Sequence, residues 1–599
     1  MKRSLLLAVG IVAAIVVYAY GFSVTQVNLA ELGSPTRQES LTRILRALAR
    51  PDFFTYEQQE FQVEVPIYVP CPPGGVTPPE PADPGAPYMV VTPPCADPGA
   101  EITVEGFNFA PNTSGPLNFI PPSGVSLSLG RIETDRNGHF VMTVRLRNRT
   151  SPEPQLLRAV TRRNVGLPRL SQNGIDTIDK IIETVFMALL ATTLGTLLAV
   201  PISFFAARNL MRMVRSSLPG LSLSLLAAPV GVLVGAGLAG WIASLSQVLT
   251  TSLALNLGGL IVTPVVVWGA LRWGLPQEDA TPPSGGNRLL QVLVLLVSLL
   301  GILLMLYLLG ELAMALGEAL ATWLGPFAFL GTFVATLGEI LRLILVPICA
   351  LIGAGLAVGL AGRVGQLLVD RLPERLGMPL NLLLAAAGGA TLALLLGALV
   401  NWFYQLNQPW LTYYGPALVG AAAGLVLAWR VPYRTPLPVG LAIYSVTRTI
   451  LNALRSVEAL IMVIVFAVWV GIGPFAGVLA LGLHTVAALA KLYSEQVESI
   501  MTGPLEAVLA TGASRMQMVI YAVIPQIIPP YISFTMYRWD INVRMSTIIG
   551  FAGGGGIGFL LQQNINLLNY RAASAQILAI AIVVSLMDYI SSLLRERAI

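Results

Sequence analysis

The chain has 599 residues, 55% hydrophobic and 11% charged, with a formal net charge of +5. The charged share is less than half that of an average soluble domain, and no single aqueous core could bury so much apolar side chain; this excludes a soluble globular protein and places most of the chain in lipid. The basic residues gather in short loops, which fits orientation in a membrane rather than nucleic-acid binding.

Lys2 and Arg3 precede an apolar run from Leu5 to Phe22. No small-x-small cleavage pattern follows, so residues 1–22 read as an N-terminal transmembrane anchor, start inside, rather than as a signal peptide. Residues 23–178 are polar and expected outside the cytoplasm. LTRILRALARPDFF (41–54) has helical periodicity, giving a helical linker over 23–59. Over 60–160 the pattern alternates. Phe61, Val63, Val65, Ile67 and Val69 fall on one face of a strand, and ITVEGFNFAP (102–111) and VSLSLGRIETDRNGHFVMTVRL (125–146) repeat the pattern around a turn at 135–138. Short strands punctuated by Pro and Gly predict a small Ig-like β-sandwich, a fold analogy that says little about function. Cys71 and Cys95 lie in its Pro-rich part. A disulfide between them would close a loop of about 25 residues and contribute roughly 3 kcal/mol; two free thiols are the alternative.

Eleven further hydrophobic spans are expected near 180–206, 219–244, 250–272, 288–310, 333–361, 378–402, 413–430, 457–473, 474–492, 521–539 and 575–593, making twelve with the anchor. The loops assigned inside carry Arg208, Arg212, Arg215, Arg272, Arg288, Arg363, Arg371, Arg375, Arg430 and Arg434, and the C-terminus carries Arg595 and Arg597. The loop assigned outside at 311–332 has Glu311 and Glu318 but no Lys or Arg, and 403–412 (FYQLNQPWLT) is aromatic and uncharged. These obey the positive-inside rule; an outside segment at 540–574, with Arg544 and Arg571, is the exception.

Between two apolar stretches, residues 506–525 read EAVLATGASRMQMVIYAVIP. Three longer blocks accompany this segment: IIETVFMALLATTLGTLLAVPISFFAARNL (181–210), WVGIGPFAGVLALGLHTVAALAKLYSEQVESI (469–500) and YRWDINVRMSTIIGFAGGGGIGFLLQQNINLLNY (537–570). On these residues the chain resembles the phosphonate-type permease family, a branch of the ABC importer permeases, over about a third of its length. RALARPDFF (46–54) is similar to the family's short segment before its first core helix. The resemblance implies a mainly α membrane protein with a type I, MetI-like permease core over 179–210 and 437–599. The Ig-like sandwich and a bundle of about six transmembrane helices at 211–436 would be additions. It further implies that 493–520 is the EAA coupling loop, whose short helix docks into a groove of a separate ATPase. Glu506, near the helix start, would favour the positive end of the dipole, and Ala507 belongs to the same motif. Gly512 would allow a sharp turn, Arg515 would contact the ATPase, and Pro525 would mark entry to the next span. Val508 and Ile524 depart mildly from the family's Ala and Leu.

GFAGGGGIG (550–558) is not a phosphate loop, since that requires Gly-Lys-Ser/Thr after a strand and no Gly-Lys pair occurs in the chain. ATP and Mg would belong to the partner ATPase, with no cofactor, metal site or catalytic residue on this chain. Gly553, Gly554, Gly555 and Gly556 read either as close backbone packing near an outer gate or as a flexible external turn. Arg544, adjacent to that gate, could meet an anionic substrate or pair with Asp540. Glu339 and Arg342, i and i+3, are expected to pair with each other, and Asp588 to lie one turn from the cytoplasmic helix end. His139 and His484 stand alone and receive no chemistry.

The reading is a permease subunit in a bacterial plasma membrane, both termini cytoplasmic, importing phosphonate or a related phosphorus oxyanion. Its expected partners are ABC ATPase subunits, an extracytoplasmic substrate-binding protein, a second permease copy and the lipid bilayer, and no nucleic acid. The alternatives are an ATP-independent channel or secondary transporter, and a membrane-anchored surface receptor working through its β domain.

Overall fold

The computed structural model describes residues 2–26, 28, 31, 33–76, 85–274, 285–513 and 515–598. It divides into two compact units, Met1–Ser203 with Leu451–Ile599, and Phe204–Ile450.

The first unit opens with α1 (Lys2–Val24), whose described side chains are nearly all exposed, as suits an apolar helix meant for lipid. α2 (Pro35–Leu48) starts on a proline, whose fixed φ suits a first helical turn. Among the described residues seven strands follow: β1 (Phe54–Ile67), β2 (Tyr88–Thr92), β3 (Glu101–Phe107), β4 (Ser114–Ile120), β5 (Leu127–Glu133), β6 (Phe140–Arg145) and β7 (Gln155–Leu170). They form two antiparallel sheets, ordered β1-β7-β4-β5 and β2-β3-β6. Strand alternation turns Val65 and Ile67, Ile102 and Val104, and Leu117 and Phe119 into a shared core with Phe140 and Leu157. At the tight turn, the Asp135 carboxylate accepts from the backbone N–H groups of Asn137 (2.8 Å) and His139 (2.9 Å). These donors, His139 first, hold its carboxyl below the usual carboxylate range.

Cys71 and Cys95 are joined by a disulfide. Closing that loop restricts the unfolded chain and stabilises the sandwich by roughly 3 kcal/mol. Reduction, or a Cys71→Ala/Cys95→Ala variant, is expected to speed limited proteolysis within 60–160 of the intact membrane protein; unchanged cleavage would show that the bridge adds nothing.

β1 and β7 outrun the sandwich. They pair from Ile67↔Gln155 to Phe54↔Leu170, whereas the sequence placed a helical linker up to residue 59 and no strand beyond 160. This outer ribbon is exposed on both faces, so it carries no apolar alternation to read. Of its exposed pairs, Glu60–Arg162 (3.7 Å) lies directly across the ribbon and Glu57–Arg169 (3.8 Å) diagonally, and neither stabilises it much. Its foot is tied down: the Ser171 hydroxyl donates to the Asp52 carbonyl (2.8 Å), and the Asp52 N–H to the Arg571 carbonyl (3.2 Å). α3 (Gln172–Phe205) then begins the membrane part.

The second unit holds α4 (Arg208–Met211), α5 (Leu218–Leu249), α6 (Leu253–Gly274), α7 (Gly285–Trp323), α8 (Ala328–Arg371), α9 (Glu374–Tyr404) and α10 (Gly415–Arg430), the last entered through a π-helical turn at Trp410–Tyr414. Residues 275–284 and the Arg288 side chain of the expected inside loop lie outside the described residues. Each expected span of the insert corresponds to one long helix of this unit. The expected loop at 311–332 does not exist as a loop: α7 and α8 run through it and leave only the turn at 324–327. ELAMALGEALATW carries two Glu but is rich in strong helix formers, so the charges that suggested a loop sit within a helix. Glycines set this hairpin. A Cβ on Gly317 would stand 2.6 Å from the Gly331 carbonyl oxygen, and one on Gly338 2.4 Å from that of Gly310. Antiparallel pairing also brings Glu311 to Arg342 at 2.7 Å; Arg342 thus pairs across the hairpin instead of with Glu339.

α11 (Val439–Ser456) leads back to the first unit, which continues with α12 (Ala459–Val470), α13 (Pro474–Glu498), α14 (Thr502–Ala510), α15 (Arg515–Met518), α16 (Ile524–Gly550), α17 (Gly556–Asn566) and α18 (Tyr570–Ala598). The span expected at 457–473 is corrected. α12 has 12 residues, about 18 Å of rise, and meets α11 at a bend of 91°. Among the described residues, ten helices are long and apolar enough to cross a membrane, or eleven if that bent pair is one span.

Candidate functional site

The coupling segment is built from α14 outward. α14 buries none of its residues, although it reads TGPLEAVLA. Its start is pinned by Gln526, whose side-chain carbonyl accepts the Met501 N–H at 3.0 Å and whose amide donates to the Ala522 carbonyl at 2.7 Å. Glu506 is the fifth residue of the helix, not near its start, so the dipole argument for it falls; it stands exposed on the surface. Ala507, Val508, Thr511, Gly512, Gln517 and Tyr521 line an open hollow of about 670 Å³. Gly512 ends the helix in the left-handed region, φ +81°, with open space where a Cβ would go. Arg515 begins α15, and its side chain lies outside the described residues. A π-helical turn at Val519–Val523 joins α15 to α16 without a break, and Pro525 is the second residue of α16.

At the other end of the unit the glycine run is packed hard. The Gly556 N–H donates to Glu183 Oε1 at 2.8 Å and the Ile557 N–H to the Thr184 hydroxyl at 2.8 Å, so α3 caps α17. Lys180 holds the same Glu183 at 2.5 Å. Gly553, Gly555 and Gly556 have φ between +70° and +89°. A Cβ on Gly554 would meet Ile549 at 2.2 Å, and one on Gly555 the Pro474 nitrogen at 2.8 Å. Close packing, not a flexible turn, accounts for this run.

Arg544 lies inside α16, which extends to Gly550, and not in an outside loop. It pairs with Asp540 at 2.5 Å and approaches Asp588 of α18 at 3.7 Å. Asp588, expected one turn from the helix end where it would cap or pair, lies some ten residues before the end of α18 and faces a cation.

The opposite face of α16 carries a polar core that sequence reasoning missed. Asn542 is fully buried and donates to the hydroxyls of Thr192 (α3, 2.8 Å) and Thr485 (α13, 2.9 Å). One turn earlier, Arg538 is 8% exposed; its Nε donates to Thr485 at 3.4 Å and its Nη2 lies against His484 Nδ1. A guanidinium only donates, so Nδ1 accepts and the His484 proton sits on Nε2. The histidine that looked isolated in the sequence is thus Arg538's neighbour. Below this layer, Tyr493 and Tyr531 stack with centroids 3.8 Å apart.

Comparison with known proteins fits this core. Residues 420–597 match the family described as the binding-protein-dependent transport system inner membrane component. The chain is 43% identical over 155 residues to a phosphite transport system permease protein, PtxC, of Stutzerimonas stutzeri, covering 26% of this chain and 56% of that one. It is 37% identical over 158 residues to a phosphate-import permease protein, PhnE, of Mycolicibacterium smegmatis, covering 26% of this chain and 30% of that one. It is 42% identical over 121 residues to the Escherichia coli K12 protein named for a cryptic phosphonate transport system permease, PhnE2, covering 20% of this chain and 99% of that one. The chain thus spans little more than half the length of the first of these relatives, and all but 1% of the last. On that identity the chain belongs to the phosphonate-type permeases of binding-protein-dependent ABC transport systems.

Proposed function

We propose that this chain is the membrane subunit of an ATP-driven importer for a phosphorus oxyanion, with phosphite, phosphonate and phosphate as the candidates. An external binding protein delivers the anion, two copies of the chain enclose its path, and separate ATPase subunits drive alternating access. Residues 23–178 lie outside the cytoplasm in this reading, with both termini inside. The relatives named for transport of these anions support the substrate class.

The observation that carries the coupling role is α14. It is an apolar helix left unpacked, with apolar flanks: Leu509 within it is 46% exposed, Met501 just before it 70% and Tyr521 in the following π-helical turn 69%. A surface of this kind, held in place at its N-terminal end by Gln526, suits a partner groove. The test is co-purification of an ABC ATPase with the full chain in detergent, wild type against Glu506→Arg. Wild type is expected to retain the ATPase and the variant to lose most of it. Failure of the wild type to retain an ATPase under crosslinking would overturn the importer reading.

A further inference from the structure

Arg538 is a cation buried in the middle of a membrane helix, and its recorded partners are neutral. Ion-pair distance to a carboxylate is not reached by Arg538 among the described residues, whereas Lys180, Arg342 and Arg544 each have one. A buried cation in a membrane helix without an ion pair is costly, and such residues commonly mark substrate or ion pathways. The surrounding charges extend the pattern. Arg455, exposed at the end of α11, lies close enough for its charge to act on both His484 and Arg538, and Glu458 at the start of α12 acts on Arg538 as well. The bend between α11 and α12 falls between Arg455 and Glu458.

We infer that Arg538, with His484 and Thr485 beside it and Arg455 at its approach, is the point inside the membrane where this subunit holds its oxyanion; the inference rests on the importer reading above. A guanidinium offers paired N–H donors that match two oxygens of a phosphorus oxyanion. The Thr485 hydroxyl is positioned by Asn542, and the Nε2–H tautomer of His484 adds a donor of the right kind. Thr485 and His484, both neutral, accept hydrogen bonds from Arg538 without cancelling its charge, leaving that to the passing anion. Arg544, the residue singled out by the sequence, already has its carboxylates in Asp540 and Asp588.

The test is thermal unfolding of the full chain in detergent, with phosphite, phosphate or methylphosphonate titrated against chloride at constant ionic strength. The oxyanions are expected to raise the wild-type Tm. In Arg538→Gln the concentration for half the effect should rise about tenfold, as losing one charge-assisted hydrogen bond implies. Arg455→Gln should shift it less. An Arg538→Gln protein that responds like wild type, or a wild type indifferent to oxyanions, overturns the inference. If Arg538→Gln does not fold, Arg455→Gln carries the test on an exposed side chain, and an unchanged response there overturns it too. A protein blind to oxyanions that still retains its ATPase sinks this inference alone.

Discussion

Replacing Gly558 with valine is expected to leave little folded protein in the membrane. A Cβ at 558 would stand 1.8 Å from the Thr547 carbonyl oxygen and 3.1 Å from the Gly550 Cα. The contact is reciprocal, since a Cβ on Gly550 would meet the Phe559 nitrogen at 2.5 Å and the Gly558 Cα at 2.6 Å. Both obstacles are backbone, so no side chain can rotate away, and α17 would have to leave α16. Doing so would also break its caps on Glu183 and Thr184. Overpacking alone costs about 1–3 kcal/mol where neighbours can move, and here they cannot. Size-exclusion chromatography in detergent and the Tm read the result. A monodisperse variant with a wild-type Tm would show that this crossing has room for a side chain.

Gly512→Val is expected to abolish most uptake by a different route. Nothing lies within 4 Å of the added Cβ, so the fold is not crowded; the cost comes from φ +81° itself. Forcing a side chain into the left-handed region costs roughly 1–2 kcal/mol, more for a β-branched residue, and Asn tolerates it best. The segment from α14 to α15 would relax to another path and carry Glu506 and the surrounding hollow with it. Uptake should therefore fall from wild type through Gly512→Asn and Gly512→Ala to Gly512→Val, with membrane levels of the protein unchanged. Equal uptake by Gly512→Asn and Gly512→Val would remove backbone geometry as the cause.

The two residues show what could be read in advance. Gly512 stood out because the resemblance to a permease coupling loop put a sharp turn there, and few residues can make one. Gly558 looked like part of a run open to two readings, because the partner carbonyl at Thr547 lies on another helix axis. Wherever one face was apolar the elements were legible, as with the alternation from Phe61 to Val69 and the long spans of the second unit. The β1–β7 ribbon escaped notice because both faces meet solvent. Arg538 was overlooked because YRWD falls at the edge of the hydropathic window, where charged and aromatic side chains ordinarily mark an interface; α16 in fact continues to Gly550. The position of Glu506 within its helix was misjudged because Thr502 and Gly503 carry no strong helix-start signal.

The α7–α8 hairpin has a mechanical meaning. Residues 289–309 of α7 rise about 31 Å, enough for the whole hydrocarbon layer. The Glu311–Arg342 pair then joins the two helices, and the remaining stretch to Trp323 adds about 18 Å of helix beyond it. This part is clasped at Gly310–Gly338 and again, two helical turns on, at Gly317–Gly331. Two backbones held that closely cannot shear past each other. The result is a stiff pair of helices tipped by Trp323, 90% exposed, and a push at that tip arrives at its base as tilt instead of being absorbed along the way.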